Sequence, residues 1–351
     1  MKSFTVILLA VLFANTGLQA QWHSKTYSLA EGWNSVWLSG DASYTTVTDL
    51  FSATLSVIEI WRWNPNPDQV TFTTSPSDPT TQSNEWTIWK RNDPDEQMLS
   101  RMVGNSAYLV RCSAPTSVVI KQRVLPPAAT WQISGANFLG FPAVAGGPTL
   151  SSYFSSFPSA NTTVLSPSSQ IYKYIGGDLS ATNPMAVSPS AESLDPDKAY
   201  WFQVDAVSDF TAPLEYELPS EAGLAFGRTL TSMTVGVTNR STLNLTLNIS
   251  LEQSEAAPDG QQSVNGGVVL TRREFDTASN TTTDTPIVGG YKVTIPASGR
   301  VNLEFGIDRS SLTDGSAFHA SLLRLRDTSS LTDVRLPVSA QAATAAGLWV
   351  A

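Results

Sequence analysis

From Leu224 onward, apolar and polar positions alternate in run after run. Leu243, Leu245, Leu247, Ile249 and Leu251 share one face of such a run, with Asn and Thr between them. That period of two is the mark of a half-buried strand. Similar runs cover Ser232 to Asn239, Leu243 to Glu252, Gly267 to Phe275, Gly290 to Ile295, Arg300 to Ile307, His319 to Leu325 and Asp333 to Ala340, with Gly, Pro, Asn and Asp in the gaps. Seven such strands over about 115 residues predict an immunoglobulin-like β-sandwich across residues 220–341.

The region before it reads as a duplication. Gly32-Trp33-Asn34-Ser35-Val36-Trp37-Leu38 aligns with Gly135-Ala136-Asn137-Phe138-Leu139-Gly140-Phe141 at an offset of 103 residues. At that offset Val47, Leu50, Phe51 and Ser52 match Leu150, Tyr153, Phe154 and Ser155. Further anchors follow in order: Ile60-Trp61-Arg62-Trp63 with Ile171-Tyr172-Lys173-Tyr174, Ala107-Tyr108 with Ala199-Tyr200, and Leu125-Pro126 with Leu218-Pro219. Ordered anchors of matching class indicate repeated units. Each copy predicts a strand at G-x-N, then a helical turn whose apolar residues stand at i, i+3 and i+4. An aromatic–basic–aromatic strand, a polar loop (Asn64 to Asn84 in the first copy) and two closing strands follow. The closing strands are Ala107 to Arg111 and Ser117 to Val124, then Tyr200 to Val204 and Pro213 to Leu218. The predicted fold class is therefore mostly β: two duplicated small β modules, residues 25–127 and 128–219, each with a short helical turn, followed by the sandwich.

The N-terminus changes the picture of where this chain works. Lys2 precedes an apolar stretch from Phe4 to Phe13, and Leu18-Gln19-Ala20 ends on a small residue. This order is that of a secretory signal peptide over residues 1–20, too short in its apolar part to span a bilayer. The predicted location is secreted or at the cell surface, with no transmembrane segment. Residues 342–351 read as a small-residue linker, Ala342 to Ala346, and the opening of a further module at Gly347-Leu348-Trp349-Val350.

Together these features resemble large exported multidomain proteins of Verrucomicrobia–Planctomycetes-type bacteria. The residues behind the resemblance are the two G-x-N modules, the sandwich with Gly223-Leu224-Ala225-Phe226-Gly227, and the closing Gly-Leu-Trp-Val. The sandwich also looks like modules common in bacterial surface proteins. The resemblance implies further modules downstream and no particular activity.

Charge and composition remove several classes of function. Net charge is -9, from 21 Lys+Arg and 30 Asp+Glu, which argues against a nucleic-acid partner. The second copy holds much of the imbalance, with only Lys173 and Lys198 as basic residues against eight acidic ones. A single cysteine, Cys112, excludes an internal disulfide, and two histidines are too few for a Cys/His zinc site. Cys112 reads as a small buried residue. His23 is expected in a flexible terminus and His319 in a strand. Neither falls in a recognisable catalytic motif. Carboxylates such as Glu59, Asp93 and Glu96 are not singled out by spacing. Asp93-Pro94-Asp95-Glu96 and Asp195-Pro196-Asp197 present clustered oxygen donors, but their pattern suits turns better than calcium loops. Five N-x-S/T sequons, at Asn161, Asn239, Asn244, Asn248 and Asn280, are chance matches in a chain rich in these residues.

Tryptophan supplies the sharpest binding candidates. Trp61, Trp63, Trp86 and Trp89 lie in the first copy, and exposed indoles would make a platform for sugar rings. The competing reading is that they form the core, as the tyrosines at 172 and 174 of the second copy suggest. Trp86 and Trp89 have no such counterpart and are the better surface candidates. The sequence thus predicts a non-enzymatic, exported structural or adhesion protein and scaffold, without cofactor or metal. Its expected partners are further modules of a longer chain, extracellular polysaccharide or a cell-surface protein. The alternatives are a carbohydrate-binding module and a non-catalytic part of a larger secreted hydrolase.

Overall fold

The computed structural model describes residues 21–64, 86–133, 136–157, 164–166, 171–179, 182–204, 206–312 and 317–342. The expected signal peptide, most of the first polar loop, Gly135, Asn161 and the C-terminal segment from residue 343 lie outside these residues. Strand makes up 46% and helix 5%, so the chain is mostly β. No helix among the described residues is long and apolar enough to cross a membrane.

The first copy contributes β1 (Trp22–Leu29), β2 (Gly32–Leu38), α1 (Val47–Leu50), β3 (Val57–Trp63), β4 (Trp86–Lys90), β5 (Ser106–Cys112) and β6 (Thr116–Arg123). The second contributes β7 (Asn137–Leu139), α2 (Leu150–Phe154), β8 (Ile171–Lys173), β9 (Met185–Val187) and β10 (Tyr200–Phe202). Their sheets run in the same order, β2-β5-β3-β4 and β7-β10-β8-β9. The register agrees residue by residue. Asn34 faces Val110 as Asn137 faces Phe202, Val36 faces Tyr108 as Leu139 faces Tyr200, and Trp61 faces Leu109 as Tyr172 faces Trp201.

Local chemistry repeats as well. Thr46 caps α1 by accepting from the Asp49 backbone N–H, and Thr149, at the same offset of 103, caps α2 by accepting from Ser152. The Tyr108 hydroxyl accepts from the Val103 backbone at 2.8 Å, and the Tyr200 hydroxyl accepts from Asp195 at 3.0 Å. The asparagine of G-x-N is a clamp. Asn34 accepts from the Ala30 N–H at 2.9 Å and donates to the Ala30 carbonyl at 2.8 Å; Asn137 does the same with Gln132 at 2.6 and 2.9 Å. Both amides are buried, so both ends of the side chain are satisfied by the turn that enters the strand.

The copies part at their ends. In the first, β1 and β6 form an eight-residue antiparallel ribbon. In the second, the corresponding pairing shrinks to one bridge, Trp131 with Ser208. The predicted closing strand of copy two, Pro213 to Leu218, is instead β11 (Leu214–Glu217), which pairs with β13 (Ser232–Asn239). The boundary expected at residue 219 therefore falls before Leu214, because the apolar side of β11 is buried in the sandwich core. Leu125-Pro126 and Leu218-Pro219 consequently follow strands that are not equivalent.

The remaining elements are β12 (Leu224–Ala225), β14 (Leu245–Gln253), β15 (Leu270–Asp276), β16 (Thr281–Pro286), β17 (Tyr291–Ile295), β18 (Arg300–Ile307), β19 (Phe318–Asp327) and β20 (Asp333–Gln341). They form a sandwich of two five-stranded sheets, β11-β13-β18-β15-β16 and β12-β20-β19-β14-β17. All seven runs with period-two character are strands. β16 escaped the sequence reading because its Thr-Thr-Thr-Asp-Thr-Pro stretch is exposed throughout and has no apolar face. Asn239 is fully buried, and its amide binds the carbonyls of Leu243, Ile295 and Pro296. It is a structural clamp.

Candidate functional site

The four candidate indoles are buried: Trp61 is 4% exposed, Trp63 5%, Trp86 6% and Trp89 2%. The glycan platform is thereby corrected. Trp86 and Trp89 are three apart on one strand, so they point to opposite faces of the sheet. Trp89 enters the core between the sheet, α1 and the β1–β6 ribbon, where its ring N–H donates to Thr48 Oγ1 at 3.0 Å. Trp61, Trp63 and Trp86 enter a different core, shared with the second copy.

That shared core joins the repeats. Trp201 stacks on Phe138 at 4.5 Å and meets Trp63 and Trp86 edge-on at 6.0 Å each. Trp61 lies edge-on to Trp33 at 5.0 Å and to Trp86 at 5.7 Å. Edge and offset ring contacts of this kind add to the effect of burial. The Trp61 ring N–H donates to Glu59 Oε1 at 2.7 Å, and Glu59 also stands 3.6 Å from Lys90 and from Arg111. Glu59 is thus occupied in holding the indole and the sheet edge.

The free edge of β2 is covered by the second copy. Trp33 N–H donates to Gly177 O at 2.9 Å, Gly176 N–H to Trp33 O at 2.7 Å, and Ser35 N–H to Tyr174 O at 3.3 Å. Gly32 has φ +85°, and a Cβ there would lie 2.2 Å from the Gly177 backbone. The glycine that opens the motif serves the contact between copies as well as the local turn. A Cβ on Gly140 would lie 2.2 Å from Trp37 Cγ. Trp37 and Gly140 occupy the same place in the two copies, so one large and one absent side chain fit together.

The first copy also meets the sandwich. Trp22 bridges to Glu255, whose carboxylate accepts from Ser24 N at 2.7 Å and Ser24 Oγ at 2.5 Å; Lys121 Nζ lies 3.8 Å away. Burial works against ionisation of Glu255. The two Ser24 hydrogen bonds and the charges of Lys121 and His23 outweigh it and hold the carboxyl below its ordinary value. His23 is a correction to the sequence reading. It lies on β1, half-buried, and burial and then the Arg335 charge lower its pKa.

Two recesses lie at these junctions. One, of about 240 Å³, is where all three units meet, with Trp37, Phe141 and Pro142 beside His23, Gln122 and Arg335. The other, of about 430 Å³, lies between the copies and is lined by Tyr27, Leu29, Lys173, Glu192, Asp197 and Lys198 among others.

The remaining sequence candidates take structural places. Asp93 accepts from Asp95 N at 3.2 Å and Asp195 from Asp197 N at 2.9 Å, so both Asp-Pro-Asp stretches are side-chain-capped turns. Glu96 stands 3.9 Å from Lys90. Among the described residues no group of three or more His, Cys, Asp or Glu is placed to hold a metal ion. Cys112 is buried, and burial pushes its thiol up to about 11. His319 is buried on β19. The inter-copy recess was missed in the sequence because its walls come from distant segments. The isolation of Lys173 and Lys198 as the only basic residues of copy two was the available clue.

No known protein family matches the chain, and no curated protein does. Among solved structures it is similar to Escherichia coli alpha-2-macroglobulin activated by porcine elastase, at 10% identity and TM-score 0.24, over 92% of this chain and 33% of that one. It is also similar to a DUF4785 family protein from Legionella pneumophila, at 8% identity and TM-score 0.17, over 91% of this chain and 87% of that one. The chain thus spans a third of the length of the macroglobulin. Both scores are too low for either likeness to bear on function.

Proposed function

We propose that this chain is a non-enzymatic, exported structural protein: a rigid spacer that fixes the direction in which neighbouring modules or ligands are presented outside the cell. The observation that carries the reading is the joint between the copies. Modules on flexible tethers meet through small polar contacts. Here the two repeats bury their largest side chains, Trp63, Trp86 and Trp201, against each other and share backbone hydrogen bonds at the β2 edge. Most of the aromatic surface that would serve a sugar-binding face is committed to that joint. Export rests on the N-terminal sequence pattern.

Three measurements test the proposal. Unfolding in urea, followed by tryptophan fluorescence and by far-UV circular dichroism, should give one coincident transition for the two copies. Separate transitions would remove the rigid body. Fractionation of the producing cells should find the protein outside the cytoplasmic membrane, and purified full-length chain should leave polysaccharide and peptide substrates intact. A cytoplasmic pool alone, or turnover abolished by substitution of a single carboxylate, would overturn the structural reading.

A further inference from the structure

The second copy spends its only two basic residues on one place. Lys173 and Lys198 both line the 430 Å³ cleft between the copies. Lys25 crosses from β1 to the same wall, with its amine 2.6 Å from Asp197 Oδ1 and donating to Pro196 O at 3.2 Å. Lys173 is paired with Glu192. Two of the three amines are therefore neutralised by the protein itself.

Lys198 is different. Asp195 and Asp197 are close enough to act on its charge, but it forms no ion pair with either; Asp195 accepts the Asp197 N–H, and Asp197 takes Lys25. A lysine without a partner ordinarily extends its amine into water. This one stays half-buried in the cleft, where burial pulls its pKa below the ordinary lysine value against the pull of Asp195. A partly desolvated cation facing an open recess is complementary to an anion that enters it.

The rest of the wall narrows the ligand. Glu192, Asp195 and Asp197 offer acceptors, Lys173 and Ser193 offer donors, and Leu29 and Leu194 are apolar. Donors and acceptors on one wall suit a molecule with several hydroxyls. The volume falls in the range of small-molecule sites, roughly 300–1,000 Å³. We propose that this cleft binds a small hydroxylated carboxylate of the uronic acid class, with the Lys198 amine receiving the carboxylate. The inference stands apart from the spacer reading: a rigid body with an empty cleft, or a binding cleft in a chain whose copies unfold separately, would each separate the two.

Titration calorimetry of the full chain with D-glucuronate and with D-glucose, at low salt, tests it. Glucuronate should bind saturably, at least about tenfold more tightly than glucose, and more weakly as salt is raised. Lys198→Met should lose about tenfold or more of that affinity, while Lys198→Arg should keep most of it. Equal binding of the two sugars, undiminished binding by a folded Lys198→Met protein, or no glucuronate binding up to about 10 mM, a limit near the weak end of measurable affinity, would each overturn the proposal. The comparison of the two sugars on the unaltered chain decides the matter even if Lys198→Met fails to fold.

Discussion

The two copies solve one folding problem with different side chains. Strand order, register, threonine cap, the tyrosine hydroxyl that accepts from an upstream backbone N–H, and the asparagine clamp are common to both. These three side chains each bond to backbone, and they persist where the residues of the core change. The first copy has a core of its own, between the sheet, α1 and the β1–β6 ribbon, and presents its other face to the second copy. The second has little ribbon, because its chain leaves for the sandwich at β11. Its aromatic residues, among them Trp131, Phe141, Phe154 and Phe202, form one continuous cluster with the indoles of the first. The two copies share one frame, and one sheet face of each forms the joint.

The largest expected effect tests that joint. Trp201→Ala removes the ring at its centre and should cost about 3–5 kcal/mol by urea unfolding. Trp89→Ala should cost a similar amount through the private core of the first copy. A Trp201→Ala loss below about 1 kcal/mol, well under the usual core value, would mean that the shared core does not hold the copies. Gly140→Ala comes next. Its methyl group would press on Trp37, and overpacking of this kind costs about 1–3 kcal/mol.

Asn34→Ala and Asn137→Ala each remove the pair of hydrogen bonds to the entering turn, Asn34 losing in addition its donations to the Gly32 and Val110 carbonyls, and each should cost about 1–2 kcal/mol. Markedly unequal losses would show that the clamps are not the same device. Thr46→Ala and Thr149→Ala should each cost about 1 kcal/mol, read as paired shifts in the unfolding midpoint.

The smallest effect is the pH response of the contact with the sandwich. The folded-state pKa of Glu255 is depressed, so its contribution is present above the ordinary glutamate value of about 4.3 and is lost as pH falls through the folded value. The folded-state pKa of His23 is also depressed, so its contribution is likewise lost as pH falls below the unfolded value of about 6.5. Midpoints measured from about pH 7 down to about pH 3 should fall, and Glu255→Gln should flatten the part of that curve below the ordinary glutamate value of about 4.3.

What the sequence determined by itself was whatever repeats locally along the chain. Alternation from Leu243 to Leu251 places β14, the i, i+3, i+4 spacing places α1 and α2, and the ordered anchors place the equivalent strands. Period and spacing are properties of neighbours in sequence, and the backbone converts them directly into geometry. Which face of a strand meets water is another matter. An aromatic–basic–aromatic strand reads the same whether its indoles stack on a sugar or on Trp201, because apolar side chains suit either place. Only the approach of copy two buried them. The same holds for Pro213 to Leu218, which is strand-like in any setting and joined the sandwich because β13 offered it a partner and a core. It holds too for the cleft at Lys198, whose walls are segments over a hundred residues apart, brought together by the packing of one copy on the other.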